Sequence, residues 1–247
     1  MDRALYVAMT GATQTMRAQT ANNNNIANAS TVGFRAELAS LMSVPIEGPG
    51  QPTRVNALAA SGGWDSTEGG LQQTGNPLDV ALKGDRWLAV QASDGSEAYT
   101  RAGDLRINAL GQMNTAAGHP VLGDGGLVSL PPSSSVSIGG DGTISVVPQG
   151  QSAATMVSIG RLKIVDAKPN QLERGTDGLM RAKKGETLAP AAGDVLVSGA
   201  LESSNVNLAG SMVNMIELAR QFELQVKLMK TVEDNATASA TLVRMSG

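Results

Sequence analysis

The sequence predicts an α+β protein, with N- and C-terminal helices pairing as a coiled-coil-like unit around a central antiparallel β-rich domain. Three observations carry that prediction. Residues at alternating spacings of four and three recur near both ends of the 247-residue chain, and such spacing lines side chains along one helical seam. Between the ends the pattern shortens to alternating runs divided by Gly- and Asp-containing turns, the signature of antiparallel hairpins. The chain has 29 glycines and only two each of Trp, Tyr and Phe, so Val, Leu, Ile, Ala and Met must form the core.

Residues 1–35 are read as an N-terminal assembly segment, with a helix over 3–28 of about 39 Å at 1.5 Å per residue. Its seam runs Leu5, Met9, Ala12, Met16, Gln19, Asn23 and Ile26. The helix stops in Asn28, Ser30, Thr31, Val32 and Gly33, residue types that disfavour helical backbone. Gln19, Asn23 and the run Asn22 to Asn25 make the seam polar. Asparagine is costly to bury without partners, so a lone helix is marginal, and these positions favour register and partner choice.

Residues 36–75 hold Pro45, Pro49, Gly50, Pro52, Gly62, Gly63, Gly69 and Gly70 without a firm period. They read as an extended connector that could include a hairpin. Residues 76–204 form the β-rich domain. Its strand candidates are Leu78–Leu82, Trp87–Val90, Leu105–Asn108, Gln112–Thr115 and Arg161–Val165, with turns at Asp94-Gly95, Gly111, Asp124-Gly125, Asp141-Gly142 and Asp177-Gly178. A closed barrel and an open sandwich both fit this pattern. Residues 205–247 form the C-terminal assembly segment, with a helix from about Leu208 to Arg244 that spans roughly 55 Å. Its seam is Met212, Met215, Ala219, Phe222, Val226, Met229, Ala236, Ala240 and Val243, interrupted by Glu233. Ends able to pair with each other or with further copies point to an assembly part.

Charge and composition narrow the function further. With 19 basic and 22 acidic residues and a net charge of -3, the chain has no basic stripe of the kind that binds nucleic-acid phosphates. It contains no cysteine, which removes disulfides, zinc-thiolate sites and cysteine nucleophiles. No apolar run approaches the roughly 18 residues of a membrane span. Thr10, Gly11, Thr13, Gln14 and Thr15 interrupt the opening residues, so if the chain leaves the cytoplasm its route does not depend on an ordinary cleaved signal peptide.

The single histidine, His119, sits in a turn-like Gly118-His119-Pro120 and is read as a turn or strand residue. No H-E-x-x-H, G-x-S-x-G, S-x-x-K, P-loop or dinucleotide fingerprint occurs, each of which would carry a defined chemistry. Asp79 with Asp85, or Asp104 with Asp124, could meet in a cleft, but aspartates in β-proteins mostly cap turns. No catalytic, cofactor-binding or metal-binding residue is assigned.

The stretch Ala21-Asn22-Asn23-Asn24-Asn25-Ile26-Ala27-Asn28 through Gly33-Phe34-Arg35 resembles the N-terminal signature of flagellar rod and hook proteins. Further blocks resemble that family in order. These are Gly75–Leu82, Tyr99–Gly103, Gly118–Gly123, Gly199-Ala200-Leu201-Glu202-Ser203-Ser204-Asn205-Val206 and Met215–Glu223. The opening Met1–Tyr6 and the modest length are most similar to the proximal-rod members, with the distal-rod type as the alternative.

The resemblance implies a structural subunit of the bacterial flagellar basal-body rod, with no enzymatic activity and no cofactor. It implies unfolded export through the flagellar type III apparatus and assembly in the periplasm. Its partners would be other axial proteins and copies of itself, with no nucleic acid, membrane span or small-molecule substrate. It adds Asn25, Asn28, Gly33, Phe34, Leu201, Glu202, Ser204, Asn205 and Val206 to the seam residues as assembly-interface positions. A β-domain binding module presented by the helices is the competing reading, and a hydrolase with a carboxylate pair is a third.

Overall fold

A computed structural model describes residues 2–45, 55–151 and 155–245. Two helices frame the chain: α1 (Asp2–Ala27) and α2 (Leu208–Met245). Two long strands, β1 (Glu37–Pro45) and β2 (Val55–Trp64), pair antiparallel. The expected connector is thus largely an extended hairpin. Pro49, Gly50 and Pro52 lie outside the described residues.

The chain divides into two units whose bounds differ from the expected segments. The helical unit comprises Met1–Ala29, Ala36–Trp64 and Val206–Gly247; the β unit comprises Ser30–Arg35 and Asp65–Asn205. A six-residue stretch between α1 and β1 therefore belongs to the β unit. No local pattern marks it, because the contacts that claim it come from residues far along the chain.

Every strand pair in the β unit is antiparallel. Its largest sheet has six strands, in the spatial order 172–174, 180–182, 97–100, 86–91, 164–166 and 189–190. A three-stranded sheet joins 133–138, 143–148 and 157–161, and shorter pairs complete the unit. The hairpin at Asp94-Gly95 forms as the turn chemistry predicts: Asp94 Oδ1 accepts the Ser96 N–H at 2.9 Å, an Asx turn. The run at 161–165 does not form one strand. It breaks at Leu162 and Lys163, so its two halves join different sheets. Leu88, Val90, Leu105, Met113, Val121, Ile144, Leu162 and Leu196 fill one core with almost no exposure.

In the helical unit, α1 and α2 run antiparallel. Thr15 lies level with Gln225 (Oγ1 to Oε1, 3.2 Å), and Asn22 Nδ2 donates to the Ser211 carbonyl at 2.8 Å. The hairpin also packs along α1.

Candidate functional site

The helix pair closes on a seam rotated from the expected one by about one residue. On α1 the buried line passes through Ala8, Ala12, Thr15, Ala18, Asn22 and Asn25. On α2 the more covered positions are Ser211, Leu218, Phe222, Gln225, Met229, Val232, Ala236 and Ser239. Ala12, Gln19, Ile26, Phe222, Met229 and Ala236 keep seam positions as the spacing predicts. Leu5, Met9, Met16 and Asn23 on α1, and Met212, Met215 and Val226 on α2, are exposed, while Ala219 is half-buried. The side chain of Val243 lies outside the described residues.

The rotation has a physical cause in the small and polar residues. Alanines and Thr15 let the helices approach closely, and Gly11 leaves room for the Gln225 amide, which a Cβ would meet at 3.0 Å. The asparagine run then finds its partners inside the chain. Asn22 bonds to α2, as above. Asn25 donates to the Glu37 carbonyl at 2.9 Å and accepts the Glu37 N–H at 2.7 Å, as a strand neighbour would. Asn28 Nδ2 donates to the Asn24 carbonyl at 2.9 Å. Satisfying buried amides in this way removes the cost that burial would otherwise carry.

One flank of the pair is left open and apolar. Met9, Met16, Met212 and Val226 each follow a seam residue, and in an antiparallel pair such positions fall on the same side of both helices. Met16 is 56% exposed and Val226 43%, although both side chains are of core type. Tyr6 shares this flank, and Arg17 is the only charged residue of α1 after Arg3.

Of the remaining expected positions, Gly33, Phe34, Glu202 and Asn205 converge within the β unit, on a buried charge junction. Glu202 is 1% exposed. Its Oε1 meets Arg35 Nη2 at 2.7 Å and the Gly69 N–H at 2.9 Å, while its Oε2 meets Arg101 Nε at 2.6 Å. The Glu202 carbonyl accepts the Gly33 N–H at 2.8 Å. Arg101 further donates to the carbonyls of Gly84, Arg86 and Leu82 at 2.5–2.9 Å, and Arg35 donates to the Thr67 carbonyl. The Arg174 guanidinium lies 4.9 Å from the Phe34 ring centroid, and that of Arg101 5.8 Å from the Trp87 ring. Burial, and then the Arg101 cation, pushes the Arg35 guanidinium below its ordinary value, with Glu202 opposing.

Gly33 is required at this junction. Its φ is +66°, and a Cβ would lie 2.4 Å from the Arg101 carbonyl, closer than any side chain can stand. Asn205 seals the junction: its N–H donates to the Phe34 carbonyl at 3.3 Å and its amide to the Asp65 and Thr67 carbonyls at 3.1 and 3.0 Å. Leu201 sits in the strand Ala200–Glu202, paired with Leu71–Gln73, and Ser204 is half-buried beside it. Val206 opens the last stretch of the helical unit. Residue spacing gives no mark of Arg35, Arg101 or Arg174. The sequence did hold a signal, since Arg35 and Arg101 stand within the two family-like blocks that meet here.

The other groups considered from sequence serve local structure. Asp79 accepts from Thr74 Oγ1 at 2.7 Å and Asn76 Nδ2 at 2.9 Å, fixing a turn. The Asp79 backbone pairs with that of Asp104 across a β-bridge. Burial raises the Asp104 carboxyl above the usual range. The Tyr99 phenol is raised too, by burial and by its hydrogen bond to Glu97 at 2.9 Å. His119 closes a turn, with its N–H on Thr115 Oγ1 at 3.2 Å.

Comparison with known proteins places this geometry in context. The family described as "Flagellar hook protein FlgE/F/G D1 domain" matches residues 81–146, and "Flagellar basal body rod FlgEFG protein C-terminal" matches 197–242. The chain is 44% identical to the "Flagellar basal-body rod protein FlgF" of Escherichia coli (strain K12), over the whole of both chains. The Salmonella typhimurium protein of that name is also 44% identical over the whole of both. A "Flagellar basal-body rod protein FlgG" of Buchnera aphidicola subsp. Schizaphis graminum is 31% identical, over 92% of this chain and 95% of the relative.

Proposed function

The chain belongs to the flagellar basal-body rod protein family, and from that premise we propose that it is a structural subunit of the bacterial flagellar rod and not an enzyme. The observation that carries this reading is the open flank of the helix pair, where Met9, Met16, Met212 and Val226 are exposed although the chain's own seam is already closed. Val213, Ile216, Leu224 and Leu228 are exposed on the other sides of α2 as well, and apolar surface on this scale marks a site for other protein chains. Identity of 44% to the full-length FlgF proteins of Escherichia coli and Salmonella typhimurium, against 31% to the Buchnera FlgG, favours the proximal-rod type. Location in the periplasmic basal body, export through the flagellar apparatus without a cleaved signal peptide, and contact with further copies and other axial proteins follow from this reading. The charge junction serves it by fixing the chain on either side of the helical unit to the β unit's frame.

The test is Met16→Asp combined with Val226→Asp in cells deleted for their own copy of the chain. Both side chains are exposed, so circular dichroism and thermal unfolding of the purified variant should match the parent. Swimming and recovery of the chain in isolated basal bodies should be lost. Normal swimming with full incorporation would overturn the reading.

A further inference from the structure

Four Asp-Gly pairs occupy turns of the β unit: Asp94-Gly95, Asp124-Gly125, Asp141-Gly142 and Asp177-Gly178. An aspartate followed by glycine is open to one uncatalysed reaction, in which the glycine nitrogen attacks the side-chain carboxyl carbon. Glycine favours it because no Cβ crowds the nitrogen or restricts the backbone. Two things oppose it. A carboxylate held ionised by hydrogen bonds is a poor electrophile, and a glycine N–H already bonded into a turn must first give up that bond.

Three of the four pairs are protected in both ways. The N–H groups of Gly95, Gly142 and Gly178 donate to the carbonyls of Ala92, Gly139 and Gly175 at 3.0, 2.9 and 3.1 Å. Asp94 accepts the Ser96 N–H at 2.9 Å, Asp141 accepts Thr143 Oγ1 at 2.6 Å, and Asp177 accepts both Nη atoms of Arg181 at 2.8 Å. Hydrogen bonds from the Ser96 and Thr143 hydroxyls and the Arg181 guanidinium hold these three carboxyls below the ordinary carboxylate range, which keeps them ionised.

Asp124-Gly125 has neither protection. Among the described residues its carboxylate makes no hydrogen bond or ion pair, and the Gly125 N–H makes none. Both residues are exposed, and a Cβ built on Gly125 would meet nothing within 4 Å, so a ring has room to close. Only the base of the turn is anchored. Leu122–Gly123 pairs with Gly126–Leu127, the Asp124 N–H donates to the Arg161 carbonyl at 3.1 Å, and the Lys163 N–H donates to the Leu122 carbonyl at 2.9 Å.

We propose that Asp124-Gly125 is a site of spontaneous isoaspartate formation, set apart from the other three pairs by the fold and not by the sequence. The Gly125 nitrogen bonds to Asp124 Cγ, and its proton leaves with the carboxyl hydroxyl as water. Water then adds to the cyclic imide and breaks the bond between the Gly125 nitrogen and the Asp124 main-chain carbonyl carbon. The chain is rerouted through Cβ and Cγ, and an α-carboxylate is freed, with no oxidant or reductant involved. The extra main-chain carbon falls in a two-residue turn between the paired Gly123 and Gly126, whose register depends on loop length, so the product loses that pairing. The freed α-carboxylate makes an altered copy a substrate for methyl transfer by an S-adenosylmethionine-dependent isoaspartyl carboxyl methyltransferase. None of this depends on the rod reading.

The test is to age the purified full chain in warm neutral buffer, folded in one sample and unfolded in guanidinium chloride in another. Peptides are then sequenced by electron-transfer fragmentation, which tells isoaspartyl from aspartyl backbone at each pair. In the unfolded chain all four pairs should react at comparable rates. In the folded chain Asp124 should react several-fold faster than each of the other three. Gly125→Ala, which meets no neighbour, should keep the parent's thermal unfolding and lose most of the Asp124 product. Equal rates at all four pairs in the folded chain, or a faster rate at another pair, would overturn the proposal. So would a folded chain that leaves Asp124 intact while the unfolded chain converts it, because the turn would then protect this pair too.

Discussion

Glu202 shows how one residue can hold several distant parts of a chain in place. Its carboxylate and carbonyl together engage Gly33, Arg35, Gly69 and Arg101. A buried carboxylate between two guanidinium groups is tolerated because each charge has a partner and the remaining donors meet carbonyls. Removing the negative charge while keeping the shape leaves two cations buried together. Glu202→Gln should therefore destabilise the β unit by about 3–5 kcal/mol, read as a lowered urea midpoint in the fluorescence of buried Trp87. An unchanged midpoint would show that the cations are screened by water and that the junction does not hold the unit. Periodicity could not reveal Glu202, because a single carboxylate in a short strand has no pattern. The ordered family-like blocks did point to it, as they did to Gly33.

At the scale of elements, both helices form where their spacing predicts, at Asp2–Ala27 and Leu208–Met245. Their facing sides differ from expectation. Four-three spacing places Met9, Met16 and Val226 in the seam, and large apolar residues usually seek burial. Close packing of Ala8, Ala12 and Ala18, together with the bonds of Asn22 and Asn25, turned the small and polar face inward instead. Asn25 in particular ties α1 to the first residue of β1 through two hydrogen bonds. Asn25→Ala should cost about 1–3 kcal/mol, since the Glu37 N–H loses its acceptor. The check is faster amide exchange at Glu37 with α2 and the β unit unaltered; unchanged exchange at Glu37 would mean the strand holds without the amide.

For the whole molecule, stability should be uneven. The α1 side of the helix pair is mostly Ala, Thr and Asn, and Leu218, Phe222, Met229 and Val232 of α2 are only partly covered, whereas the β unit holds a continuous, fully buried aliphatic core. Apolar burial contributes roughly 25 cal/mol per Å², so the helical unit should open far more readily. Hydrogen exchange on the monomer should be fast across α1 and α2 and slow in the β unit. Gly33 is the informative amide: it donates to Glu202 and belongs to the β unit, so it should be protected although α1, six residues earlier, is not. Equal protection of both helices and the β unit would mean a finished helical pair, and would favour a binding module over a part awaiting neighbours.

By itself the sequence determined the two terminal helices, the antiparallel middle with its Asp-Gly turns, and membership of the rod family. Each of these rests on local spacing or on ordered blocks of residues, which a linear chain displays. Only the tertiary structure decided which helical face turns inward, that Ser30–Arg35 joins the β unit, and that Arg35, Arg101 and Glu202 meet in one buried junction. These depend on contacts between residues as much as 210 positions apart, as Thr15 is from Gln225. Which of several apolar or polar faces is buried is settled by how closely the backbones can approach and which amides find partners. No local pattern encodes that competition.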